Sequence, residues 1–472
     1  MIESNAQECL RVLRGNLLSG RASGTFKGVS IDSRTLQAGQ LFFCILGPTF
    51  DGHTFIRQAV EKKAAGIILS DKERLPSSPT LSGQEDNAPF VIRVDDTLSA
   101  LQDLARFHRR RLPVRVVGVT GTNGKSTTKE MIAAIAETTF KTLKTRGNLN
   151  NHIGLPLNVL QLDASHEVAV LEMGMSAAGE IRLLADIAKP DIGVITNISE
   201  GHLVQLKTLK NVQAAKGELF DSLDDEGTAI INADDPLVLE LATSLRTAVK
   251  RATFGINNPA DVKAHDIQAT GRGHDFTVSL FGNAFPVQLP FLGFCNIYNA
   301  LAAVATGHSL GIGTADMKAG LANCKLLSQR YEIFQHDSKT IINDAYNANP
   351  KSMREALATL AEYPSSGRRI FVIGDMLELG DLSSSAHTRL GNEIARQPID
   401  MLVTVGELTA LTAQGARAGG MKGDRIVVFD TRAEASEFLR ENTRHGDCLL
   451  FKGSRGSGME MVLQEWIHPE AI

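Results

Sequence analysis

Apolar runs of four to seven residues, broken by glycine, proline and acidic residues, punctuate the first quarter of the chain. Leu41–Leu46, Ala65–Leu69 and Phe90–Val94 read as short buried strands, and an Arg-rich helix end at Phe107–Arg111 runs into Pro113. The Ser- and Pro-rich stretch Pro76–Pro89 reads as a surface loop. From Val114 the pattern changes. The apolar runs Val114–Thr120, Val168–Glu172, Asp191–Asn197 and Thr228–Asn232 predict strands. Helical spacing falls between them, over Lys125–Glu137, Ala177–Ala188, residues 208–223 and Leu237–Leu245. Such alternation predicts a parallel sheet covered on both faces. Phe276–Leu280 and Phe285–Leu289 predict an antiparallel side sheet, followed by a helix over Asn299–His308.

A second alternating region follows. Thr340–Asn343, Arg369–Ile373, Met401–Val405, Arg425–Phe429 and Cys448–Phe451 predict its strands. Polar clusters stand directly after three of them: Asp344-Ala-Tyr-Asn-Ala-Asn-Pro350, Gly374-Asp-Met-Leu-Glu-Leu-Gly380 and Lys452-Gly-Ser-Arg455. Ligands of open α/β sheets bind at the carboxyl ends of the strands, so functional residues are expected there. The expected architecture is α/β with three domains. Residues 1–112 form a small α/β domain, 113–322 a parallel-sheet ATPase domain with a phosphate loop, and 323–472 a doubly wound, Rossmann-like domain.

Composition restricts the function without naming it. The 472 residues include 49 Lys+Arg and 53 Asp+Glu, a net charge of −4. So balanced a chain has no overall field to hold a polyanion, and nucleic acid is not an expected partner. Its five cysteines, Cys9, Cys44, Cys295, Cys324 and Cys448, are scattered and never form a C-x-x-C pair. That argues against a disulfide framework and a zinc site and suits a reducing cytosol. No apolar run is long enough to cross a membrane, so a cytoplasmic protein is expected.

The sharpest chemical signal is Thr120-Gly-Thr-Asn-Gly-Lys-Ser126, between a predicted strand and a predicted helix. Gly121 and Gly124 let the backbone, through Thr122, Asn123 and Thr127, close around phosphate. Lys125 supplies a cation, and Ser126 can reach a magnesium ion. The strict Walker spacing is broken by Val119, five positions before Gly124. Glu172, at the end of an apolar strand, suits a metal held against a nucleotide. His202, after Ile195-Thr-Asn-Ile-Ser-Glu-Gly, and Lys216, in Ala214-Ala-Lys216, have no role assigned by residue chemistry alone.

Together with Asn148-Leu-Asn-Asn-His-Ile-Gly-Leu-Pro156, Leu171-Glu-Met-Gly-Met-Ser176, Asn296-Ile-Tyr-Asn299 and Arg330-Tyr-Glu332, these motifs resemble the Mur ligase family, in the family's order and over nearly the whole chain. Within it, Asp32-Ser-Arg34, Phe50-Asp-Gly-His-Thr-Phe55 and the C-terminal strand-end clusters most resemble the members that add D-alanyl-D-alanine to UDP-MurNAc-tripeptide. The resemblance implies an ATP-dependent amide ligase working through an acyl phosphate, with magnesium held by Ser126, Glu172, His202 and a carbamylated Lys216. It implies Asn299 at adenine, Arg330 and Asp344 at ribose and phosphate, and Asn150 and Asn151 near the metal. Ser33, Arg34, Asp51, Gly52 and His53 would hold the UDP-sugar. The dipeptide would lie near Asn347–Ser352, with Asn347 and Asn349 as contacts, and near Asp375–Glu378. A monomer is expected.

Two departures matter. After His202-Leu203 the family pattern calls for an acidic residue and then Gly-Ser, where this chain has Val204 and Leu206-Lys-Thr208. The D-N-P-R string of diaminopimelate-adding relatives is also missing, which favours the dipeptide reading. The alternatives are a third-residue-adding or folylpolyglutamate-type ligase and, remotely, a P-loop NTPase switch.

Overall fold

The computed structural model describes residues 1–47, 49–75 and 88–468; most of the predicted Pro76–Pro89 loop lies outside the described residues. Among them, three main sheets follow one another along the chain. The first has five strands in the order Asn16–Ser19, Phe90–Arg93, Gly66–Leu69, Leu41–Phe43 and Val29–Ser30, parallel except for the first pairing. A two-stranded ribbon, Glu3–Asn5 with Thr25–Lys27, lies apart from it. Predicted strand Leu41–Leu46 stops at Phe43, because Gly52 packs its α-carbon onto the backbone of Cys44 and Ile45 and turns the chain.

The central sheet has nine strands, and Arg115–Thr120 sits inside it between Val168–Glu172 and Ile192–Ile195, parallel to both. These strands are buried on both faces, as a parallel sheet between helix layers requires. Their carboxyl ends, at Thr120, Glu172 and Ile195, therefore open onto one crevice where the strand order reverses. The side sheet is antiparallel as expected, but Val262–Thr270 adds a strand that polar positions had concealed. Helix Glu180–Ala188 begins three residues later than predicted. Gly179 adopts φ 86°, and the Glu180 carboxylate instead accepts the amides of Ser176 and Ala177.

The third sheet runs Glu332–His336, Lys339–Asn343, Cys448–Lys452, Arg369–Gly374, Met401–Val405 and Ile426–Phe429, antiparallel only at its first pairing. Apolar clusters cover both faces, one around Phe371 and Leu450 and the other around Val372 and Phe451. Inserting Cys448–Lys452 between Lys339–Asn343 and Arg369–Gly374 brings Asp344, Lys452 and Asp375 to one edge.

The first and central sheets share one apolar cluster through helix Thr97–Arg110, whose Leu101, Leu104 and Ala105 are fully buried. Polar contacts reinforce that seam. The Ile2 amide donates to the Leu160 carbonyl at 2.9 Å, and Arg109 Nε donates to the Ala188 carbonyl at 2.7 Å.

Candidate active site

The glycine-rich loop Gly121–Ser126 is braced by its neighbours. Gly124, at φ 79°, caps helix Lys125–Ala136, and a β-carbon there would collide with the Asn299 side-chain oxygen. Strand Ile192–Ile195 continues into a splint. Thr196 Oγ1 and Asn197 Nδ2 both donate to the Asn123 carbonyl, at 2.6 and 3.0 Å, and Asn197 Oδ1 accepts the Asn123 amide at 3.1 Å. Lys125 folds back on its own loop, its Nζ donating to the carbonyls of Gly121 (3.0 Å) and Thr122 (3.2 Å). These are weak partners for an ammonium, and desolvation in the half-buried loop holds the Lys125 pKa below its ordinary value.

Behind the loop lies a second lysine. Lys216 is 2% exposed, on helix Leu209–Asp221, and donates one hydrogen bond, to the Gly121 carbonyl at 3.0 Å. Burial, with repulsion from Lys125 as a lesser cause, depresses its pKa well below the usual lysine range. A lysine so placed has access to its neutral, nucleophilic amine. Glu172 is equally buried. Asn150 Nδ2 donates to its Oε1 at 2.7 Å and Thr145 Oγ1 accepts its amide at 2.9 Å, while Oε2 has no hydrogen-bond partner. His202 stands at φ 55°, its Nδ1 2.8 Å from Glu378 Oε2. The pair stands at hydrogen-bonding distance, with the ring N–H not yet aimed along the contact. Burial, then Lys125 and Lys216, hold the His202 pKa down, with Glu378 opposing.

The third sheet closes the other wall. Asn123 and Asn349 exchange side-chain amide hydrogen bonds at 2.6 and 3.2 Å. Arg330 Nη2 reaches Ser126 Oγ at 3.5 Å, and its guanidinium lies over Tyr346, 4.0 Å from the ring centre. Asp344 is paired in the interior with Lys452, Nζ to Oδ2 at 2.5 Å, and Lys452 also donates to the Asn347 carbonyl at 3.0 Å.

One cavity of about 1290 Å³ results. It is lined by Thr122, Asn123, Gly124, Lys125, Ser126, Thr127, Asn150, Asn151, Glu172, His202 and Lys216 from the central sheet, with Asn299 beside them. Arg330, Asp344, Asn347 and Asn349 line it from the C-terminal side. Gly121 does not line it but accepts both lysines. The cavity is large enough for a nucleotide and part of a second substrate. Among the described residues no three His, Cys, Asp or Glu side chains gather into a metal cage. The available donors are instead the orphan Glu172 oxygen, the Ser126 hydroxyl and His202, and Lys216 could join them only as a carbamate. Such a set fits a magnesium ion that shares its shell with phosphate oxygens.

The proposed sugar-nucleotide residues lie elsewhere and do not line this cavity. Ser33 Oγ donates to Gln58 Oε1 at 2.6 Å, and Arg34 is largely exposed, paired with Asp32. Asp51 caps the turn Gly52–Phe55 and accepts His53 Nδ1 at 2.6 Å, while His53 Nε2 accepts the Ser70 amide at 3.1 Å. Nor do residues 375–378 line the cavity; Asp375 accepts the Thr409 amide at 2.9 Å. Lys452, which heads the strand-end cluster after Cys448–Lys452, lines the cavity as the partner of Asp344.

Three family models match in order along the chain. The Mur ligase family catalytic domain covers residues 25–109, the Mur ligase middle domain 119–307, and the Mur ligase glutamate ligase domain 329–455. The chain belongs to the Mur ligase family. It is 40% identical to the UDP-N-acetylmuramoyl-tripeptide–D-alanyl-D-alanine ligase of Bacillus subtilis over 469 residues, 99% of each chain. Its fold superimposes on that of MurF from Acinetobacter baumannii with a TM-score of 0.89 at 30% identity, covering 99% of each chain. MurF from Thermotoga maritima, solved in complex with ADP, matches with a TM-score of 0.79 at 27% identity, over 93% of this chain and 97% of that one.

Proposed function

We propose that this chain is the ATP-dependent ligase that joins D-alanyl-D-alanine to UDP-MurNAc-tripeptide, yielding UDP-MurNAc-pentapeptide, ADP and phosphate in cytoplasmic peptidoglycan precursor synthesis. What carries the ligase reading is the single cavity. It has a glycine-rich loop with half-buried Lys125 and buried Lys216 on one wall and the Arg330, Asp344 and Asn349 cluster on the other. The end-to-end similarity to ligases of this specificity supports the choice of amine and acceptor.

A carboxylate is a poor electrophile, because its charge repels nucleophiles and oxide is a poor leaving group. In this reading the tripeptide carboxylate attacks the γ-phosphorus of ATP and ADP departs. The dipeptide amine then attacks the acyl carbon, loses a proton, and inorganic phosphate leaves with the former carboxylate oxygen. Lys125 swings from its loop carbonyls to the γ-phosphate, where a preorganised cation counts most. Magnesium, held by Ser126, Glu172, His202 and a carbamylated Lys216, would neutralise crowded phosphate and carboxylate oxygens. The depressed Lys216 pKa supports carbamylation, since only the neutral amine adds to carbon dioxide. Asn150 keeps Glu172 turned toward the cavity. Asn299, Arg330 and Asp344 would hold the nucleotide. Ser33, Arg34 and the Asp51–His53 turn would hold the UDP end, outside the cavity.

The test is phosphate release with magnesium, ATP and UDP-MurNAc-tripeptide. Release that requires D-alanyl-D-alanine supports the reading, and equal release without it overturns the reading.

A further inference from the structure

His202 and Glu378 belong to different sheets, yet each is shaped to meet the other. His202 follows central strand Ile192–Ile195, and Glu378 follows C-terminal strand Arg369–Gly374. Both non-glycine residues adopt left-handed backbone, at φ 55° and φ 64°, a conformation that the surroundings must enforce. The Glu378 carbonyl accepts the Leu203 amide at 3.1 Å, while the Glu378 carboxylate comes within 2.8 Å of His202 Nδ1. Two contacts between the same two segments fix the carboxylate's position relative to the ring. The loop carrying Glu378 is itself anchored, for His387 Nε2 accepts the Met376 amide at 3.1 Å and Ser454 Oγ accepts the Leu377 amide at 2.8 Å. With Nδ1 facing Glu378, Nε2 is the nitrogen left for the cavity that the ring lines.

We infer that Glu378 is a positioning residue, which orients His202 from the C-terminal side so that Nε2 faces the metal position. The inference rests on the reading of His202 as a magnesium ligand. A carboxylate beside the non-ligating nitrogen sets the imidazole tautomer and orientation and raises its basicity. Here that carboxylate comes from a different sheet, so docking of the C-terminal segment and completion of the metal site are one event. The local departure from the family pattern at Val204–Thr208 sits on this seam, packed beside Leu379–Leu382.

Manganese is the probe, added to the full chain with ADP and followed by electron-spin-echo spectroscopy and a binding titration. Wild type should show histidine-nitrogen modulation. Glu378→Ala should lose it and bind manganese about tenfold more weakly, with ADP affinity unchanged. Glu378→Gln, which keeps an acceptor at the same reach, should retain the modulation. Modulation and manganese affinity in Glu378→Ala equal to wild type would overturn the positioning role alone. Wild type lacking the modulation would overturn both this role and His202 ligation.

Discussion

Asn123 and Asn349 hold each other by two amide hydrogen bonds, one in each direction, joining the phosphate loop to the start of helix Pro350–Glu362. Asn349 is also that helix's N-cap, its Oδ1 accepting the Ser352 amide at 3.0 Å. The same side chain therefore starts a helix and clasps two walls of the cavity. Substitution by serine separates the tasks, because serine caps but cannot reciprocate the amide pair. Asn349→Ser should raise KM for ATP with little loss of thermal stability, whereas Asn349→Ala should also cost about 1 kcal/mol of stability. In a double-mutant cycle on KM, Asn123→Ala and Asn349→Ser should be strongly non-additive. Additive effects would show that the clasp carries no coupling.

Lys125 in the loop and Lys216 behind it should fail differently. Lys125→Ala removes the cation at the transferred phosphate, and kcat should fall by about 10²–10³. Lys216→Ala should lose activity that a short added carboxylate, such as acetate or propionate, partly restores. Wild-type activity in Lys216→Ala without any addition would refute the carbamate role.

Asp344 and Lys452 form a pair with side chains only 8% and 3% exposed. Breaking such a pair leaves a buried charge uncompensated. Lys452→Met should destabilise the C-terminal sheet by about 3–5 kcal/mol, and adding Asp344→Asn should recover much of the loss. Urea unfolding of the three variants measures both quantities. A Lys452→Met protein as stable as wild type would contradict the account of this pair.

His387 is 1% exposed, with Nδ1 donating to the Ser383 carbonyl at 2.8 Å and Nε2 accepting the Met376 amide. Both nitrogens are committed to the neutral ring, and burial lowers its pKa from the ordinary 6.5. His53, His108 and His274 are lowered by burial in the same way. Below pH 6.5 the unfolded chain takes up protons that the folded chain still refuses, so stability is lost as pH falls. The midpoint of urea unfolding should decline from neutral pH into the acid range, less steeply in His387→Gln. A flat profile over that interval would contradict it.

Most strands of the second and third sheets were legible because their apolar runs are continuous and buried on both faces, as in Val168–Glu172 and Cys448–Lys452, whereas Thr142–Lys144, Lys250–Gly255 and Val262–Thr270 were not. Glu3–Asn5, Asn16–Ser19 and Thr25–Lys27 are three or four residues long, too short to display a period, and half-exposed Glu332–His336 has no apolar run. Lys125, Glu172 and Asp344 were legible because each stands at a strand end or in a glycine loop. The partners that tune them were not. Asn150 on Glu172 and Lys452 on Asp344 meet only after the strands have been interleaved. Glu378 meets His202 across two sheets, and its distance along the chain gives no hint of that contact. Conversely, the Asp51–His53 turn stands out through the family resemblance, and its contacts are a turn cap, the His53 ring and an ion pair with Arg74.

The central claim is that the tripeptide carboxylate is phosphorylated before the amine attacks. It is tested most directly by labelling that carboxylate with heavy oxygen and analysing the products by mass spectrometry. The account predicts one labelled oxygen in the inorganic phosphate for each amide bond formed, with the other retained in the new amide of the pentapeptide. Unlabelled phosphate released alongside pentapeptide would contradict it.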